Sequence, residues 1–159
     1  MLPSDGVPEI TDDELVAQFL FSKSRIRKNG TVKGAAFLPR SCRQADGSDR
    51  FELSLNRERG ATGEEFWRIA AEIQQARKTP PNELQGCAKL LAKSVADEGL
   101  TLEADPISVG DSVHPNGNPN HANAVGWPDA KEDQKAVAEE LALVAKFVVP
   151  PTGSPDRDS

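Results

Sequence analysis

The chain is short of cysteine and of apolar residues. Its 159 residues hold two cysteines, Cys42 and Cys87. Neither belongs to a CxxC pair or a zinc-like ligand set, and a small secreted domain would carry more cross-links. Both thiols are therefore expected to be reduced, with no Cys42–Cys87 disulfide. Hydrophobic residues make up 37% of the chain. Globular chains hold roughly 45–50% on a count that includes glycine, so a modest core with long loops is predicted. No apolar run approaches the ~20 residues of a membrane span, and no charged stretch leads into an apolar one as in a signal peptide. These absences point to a cytoplasmic protein with no membrane partner. Also missing are a Walker A or GxGxxG phosphate loop and a nucleophile elbow.

The formal charge is −6. A nucleic-acid binder usually carries a basic face, so nucleic acid is not the expected main partner. The average hides a local exception. Segment 23–43 holds Lys23, Arg25, Arg27, Lys28, Lys33, Arg40 and Arg43 with no acid. It reads either as a solvated face or as an anion-binding surface.

The length suits one domain: an irregular leader over 1–10, a domain over 11–151 and a disordered tail over 152–159. Thr11 to Glu14 has the form of a capping box, and Leu15, Val16, Phe19 and Leu20 follow at helical spacing, predicting a helix over 12–22. The competing reading is a strand around Phe19-Leu20-Phe21. Asn29-Gly30 signals a hairpin turn before an expected strand over 31–38. A second turn, Ala45 to Ser48, precedes Phe51-Glu52-Leu53-Ser54-Leu55-Asn56, whose strict alternation marks a strand paired antiparallel with 31–38. Thr62 to Glu65 repeats the capping box, and Phe66, Ile69, Ala70 and Ile73 trace one helix face ended by Pro80-Pro81. Residues 82–98 fit a helical stripe, with strand as the alternative. Residues 100–104 alternate as a short strand, and 107–128 reads as a long irregular loop, a class often functional. Asp129 and Glu132 form a third capping box before a helix bearing Val137, Leu141 and Val144. The fold class is α+β: a small antiparallel sheet with about three packed helices.

Asn118 to Pro128 is the least generic stretch. It holds a histidine, three asparagines, a tryptophan and two prolines in eleven positions. Both histidines of the chain, His114 and His121, lie in the 107–128 loop. Histidine is the natural proton carrier near neutrality, which makes His121 the candidate general acid or base. Asn118, Asn120 and Asn123 can orient a ligand, and Trp127 can offer a flat wall. Arg25, Arg27, Lys28 and Arg57, with Arg59 beside it, are the candidate anion clamps. The bland reading is equally physical: these are turn residues that satisfy their own backbone. His114 and His121 with Asp105 or Asp111 match no standard metal spacing, and no cofactor is implied. Ser54 and Cys42 are the candidate nucleophiles.

The segment His121-Ala122-Asn123-Ala124-Val125-Gly126-Trp127-Pro128, with Lys131 and Gln134, resembles a C-terminal segment of small bacterial proteins without an assigned activity. The Arg25 region, Ala36-Phe37-Leu38-Pro39 and Leu53 to Arg57 resemble their upstream part, so the resemblance spans roughly 15–150. It implies a bacterial accessory component encoded beside larger partners, and carries no catalytic residue over.

Three functions follow as expectations. The first is a non-enzymatic binding or accessory protein of a bacterial multi-protein system, presenting an exposed Trp127 loop to another protein. The second is an enzyme acting on a nucleotide or other phosphate-bearing ligand through His121. The third is nucleic-acid binding through segment 23–43.

Overall fold

The alternation of Phe51, Leu53 and Leu55 produces strand β3 (Asp49–Arg57), and the sheet grows outward from it. The computed structural model describes residues 9–58, 63–81 and 83–151. The other strands are β1 (Leu15–Leu20), β2 (Arg40–Arg43), β4 (Gly86–Leu91), β5 (Thr101–Ala104), β6 (His121–Val125) and β7 (Lys146–Val148). Their order is β5-β6-β3-β1-β4-β7, and β2 pairs with the first half of β3. Every pairing is antiparallel. The helices are α1 (Gly63–Ala76), α2 (Ala92–Asp97) and α3 (Lys131–Val144). The class is α+β as expected, but a seven-stranded sheet is larger than the small one anticipated.

The sheet is covered on both sides. One face carries Val16, Leu20, Leu53, Leu55, Ala88 and Leu90 against α3, α2, the 3-10 turn Gly34–Phe37 and Trp127. The other carries Ala17, Phe19 and Cys87 against Phe66, Ile69 and Ala70 of α1. Phe19, Phe66 and Trp67 form a tilted aromatic cluster with centroids 4.8 to 6.1 Å apart.

Five expectations are corrected. Residues 12–22 form strand β1, not a helix, because β1 is apolar on both faces and buried between β3 and β4. Tertiary pairing there outweighs a local start signal. Thr11 still makes its turn, donating from Oγ1 to Asp13 at 2.7 Å and accepting the Glu14 N–H at 3.1 Å. Residues 31–38 are not the partner of β3: Val32 bridges Ile26, and Gly34–Phe37 is a 3-10 turn. The partner is β2, joined to β3 through the predicted Ala45–Ser48 turn, where Gly47 has φ +89°. Residues 82–98 are both alternatives in succession, strand β4 and then helix α2. The 107–128 loop contains β6. Finally, α3 is capped by Ala130 without a side-chain hydrogen bond, so Asp129 and Glu132 form no box. The Thr62 start of the second box, the first eight residues of the leader and the tail lie outside the described residues. No helix among the described residues is long and apolar enough to cross a membrane.

Candidate functional site

Register decides which side chains share a surface. Ala17 pairs with Asn56, Asn56 with His121, Ser54 with Asn123, and Asn123 with Glu103. All of them therefore stand on the face that α1 covers. The apolar stripe of α1 packs on β1 and β4. On β3, β6 and β5 the same face is polar, and Ser54 is exposed although β3 lies inside the sheet.

His121 is the best-defined group on this surface. Its Nδ1 lies 2.9 Å from the Asp105 carbonyl oxygen and 3.4 Å from Asp105 Oδ2. A carbonyl only accepts, so in the neutral ring Nδ1 carries the proton and Nε2 the lone pair. Among the described residues Nε2 has no hydrogen-bond partner. Asp105 is itself fixed: its N–H donates to the His121 carbonyl at 2.9 Å, and its Oδ2 accepts from Asn123 Nδ2 at 2.9 Å. Beside them Arg50 is shared by Glu52 at 2.5 Å and Glu103 at 3.3 Å. The surface is thus a mosaic of donors and acceptors whose central cation is already neutralised.

The segment 105–120 forms one wall. Ile107 and Asn118 exchange backbone hydrogen bonds at 2.9 and 2.8 Å. Gly117 (φ +77°) allows this closure, since a Cβ there would lie 2.9 Å from the Ile107 carbonyl oxygen. Asp111 Oδ2 accepts the N–H groups of Val113 and His114, which holds its carboxyl below the usual range. Asn116 donates to Glu72 of α1 at 3.0 Å and, ahead of Arg68, lowers the Glu72 carboxyl in the same way. His114 is buried with Nδ1 unpartnered; burial first, then His121, push its imidazole below the usual range. Outside this wall a groove of about 580 Å³ runs between α1 and Ser112-Val113-Pro115, bordered by Arg68, Glu72 and Lys78.

The other predicted residues fall into three groups. Asn118 and Asn120 are buried fasteners. Asn118 Nδ2 donates to Asn56 at 2.8 Å, its Oδ1 accepts the Asn120 N–H at 3.0 Å, and Asn120 Nδ2 donates to Glu65 at 3.2 Å. Arg57 and Trp127 are also enclosed. Arg57 is held by Glu14. Trp127 donates from Nε1 to the Ala124 carbonyl at 2.9 Å and packs in the core, so the exposed Trp loop expected from sequence is a buried one. Arg25, Arg27 and Lys28 are exposed but leave from the far end of β1, because β1 starts beside Arg57 and Asn56 and runs away from them. They do not join His121. Arg59 lies outside the described residues. Among those residues no three His, Cys, Asp or Glu side chains converge as a metal requires. Cys42 and Cys87 are both free thiols.

Sequence reasoning missed Glu52, Glu103 and Arg50, and read Asp105 only as a metal ligand. The usable signal was the alternation that puts Glu103 and Asp105 on one side of β5. Comparison with protein families, characterised proteins and solved structures finds no match to this chain.

Proposed function

We propose that the protein is a non-enzymatic binding component, an accessory member of a larger assembly, and that it recognises its partner through the polar face around Ser54. The resemblance noted above suggests a bacterial setting. One observation carries this reading: Ser54, midway along the interior strand β3, is left open to solvent beside its cross-strand partner Asn123. Mixed donors and acceptors with an internally neutralised cation suit a hydrogen-bonding protein surface better than a free phosphate, which needs unpaired cations. The test is native mass spectrometry of protein purified gently from its host. Wild type and a Leu143→Arg control on the exposed end of α3 should carry a stoichiometric second chain, and Ser54→Arg should lose it. A bare wild-type chain, or a partner retained by Ser54→Arg, overturns the reading.

A second reading has its own observation. His121 has a fixed Nδ1–H and an open Nε2, the arrangement of a general base oriented by a carboxylate-bearing residue. A copurifying small molecule lost on His121→Gln would favour an enzyme over an accessory protein.

A further inference from the structure

The strongest unassigned feature is the arm between β1 and β2, at the opposite end of the sheet from His121. Ile26 and Val32 form an antiparallel bridge, and the Arg27 N–H donates to the Thr31 carbonyl at 2.8 Å, so residues 26–32 make a short hairpin. Its tip is rigid. Asn29 Oδ1 accepts from the Thr31 N–H at 3.0 Å and from Thr31 Oγ1 at 2.6 Å, and Gly30 takes φ +87°. Its root is anchored: Val32 and Phe37 are buried in the core, and Gly34 packs against Glu139 of α3. Arg27 is part of the scaffold, donating to the Val32 carbonyl at 2.9 Å.

Lys23, Arg25, Lys28 and Lys33 have no such duty. All four are exposed, and none enters an ion pair among the described residues. Segment 23–43 carries seven cations and no acid, so removing +7 from the net −6 leaves −13 on the rest of the chain. The segment is a cationic stretch of an otherwise acidic chain.

We propose that this hairpin arm is a docking element for the phosphate backbone of nucleic acid. An acidic protein surface would fit the charge too. Such interfaces, however, are anchored by buried aromatic or aliphatic side chains. The arm's apolar residues, Ile26, Val32, Ala36 and Phe37, point inward into the core cluster. What remains outward is charge on a pre-ordered support, which suits sequence-independent phosphate contact. The acidic remainder repels the same polyanion and confines contact to this end. Binding is therefore oriented, weak and steeply salt-dependent.

The experiment is fluorescence anisotropy of a labelled DNA duplex across a salt series. Wild type should bind at low salt, with log affinity falling against log salt at a slope of about −3 to −4 for four phosphate contacts. Lys23→Gln, Arg25→Gln, Lys28→Gln and Lys33→Gln combined should lose more than tenfold in affinity and flatten the slope. The three Lys→Arg changes should retain both. If the quadruple variant misfolds by circular dichroism, Lys28→Gln alone should reduce the slope by about one unit. No wild-type binding at low salt overturns the proposal, as does unchanged binding by the folded variants. Polyglutamate binding at least as tightly as DNA would overturn it in favour of an acidic protein partner.

Discussion

Glu14 and Arg57 lie forty-three residues apart in sequence and meet as a two-pronged ion pair, Nε to Oε2 at 2.5 Å and Nη2 to Oε1 at 2.8 Å. The Arg57 side chain is fully buried and that of Glu14 nearly so. Removing one partner strands the other charge out of water, which typically costs about 3–5 kcal/mol. Glu14→Ala should therefore lower stability by about that much, whereas Glu14→Leu with Arg57→Met should restore most of it. Urea unfolding of the three proteins checks this; equal losses in the single and double variants would contradict it.

The His121 tautomer is directly measurable. Its Nδ1–H faces the Asp105 carbonyl oxygen. Long-range nitrogen–proton correlation should show the Nδ1-protonated form of the neutral ring. An Nε2-protonated ring would place the open lone pair on the wrong nitrogen and remove the oriented-base reading.

His114 couples the site wall to pH. Burial lowers its folded-state pKa below the ordinary value, so the unfolded chain binds its proton first. Stability then rises with pH between the two values. The contribution is complete above roughly pH 6.5, and it is lost as pH falls from there through the depressed folded value. Groups facing His114 are Asp111 on its own loop, Glu72 and Arg68 on α1 and His121 on β6. His114→Gln should flatten the fall in urea midpoint between neutral and mildly acid pH. An unchanged acid slope would assign that loss to other groups.

The two thiols should differ in reactivity. Burial pushes the Cys87 thiol up to about 12, and Cys87 is fully enclosed between the sheet and α1. Thiolate is the reactive form, so iodoacetamide at mildly alkaline pH should leave Cys87 unmodified until denaturant is added. Cys42 is only half-buried and should be the first thiol to react. Intact-mass analysis with and without urea separates the two; native labelling of Cys87 would mean that the layer beneath α1 opens readily.

Legibility in the sequence followed locality. Strand β3, helix α1 and the turns at Asn29-Gly30 and Ala45–Ser48 were readable because alternation, a one-sided stripe and glycine at positive φ are near-neighbour signals. Strands β1 and β4 were not. Both are buried on two faces, and a short apolar run of that kind has no period that separates strand from helix. The candidate site behaved in the same way. His121 stood out by residue type. Its support from Asp105, sixteen residues away, and its cross-strand neighbour Asn56 exist only through register. Trp127 misled in the opposite direction: loop-like text around it conceals strand β6, which carries it into the core.

The sheet order has a consequence for how the chain is made. The first strand, β1, lies between β3 and β4, and the edge beyond β4 is closed by β7, the last strand described. A nascent chain can form the β2–β3 hairpin early, since its halves are contiguous. It cannot complete the pairing of β1 until residues 86–91 have been synthesised, nor cover β4 until 146–148 have followed. Contacts so distant in sequence slow folding. Until residues 86–91 emerge, the apolar β1 segment has only its short pairing with the end of β3, and over that interval it is a stretch that a holdase chaperone would bind.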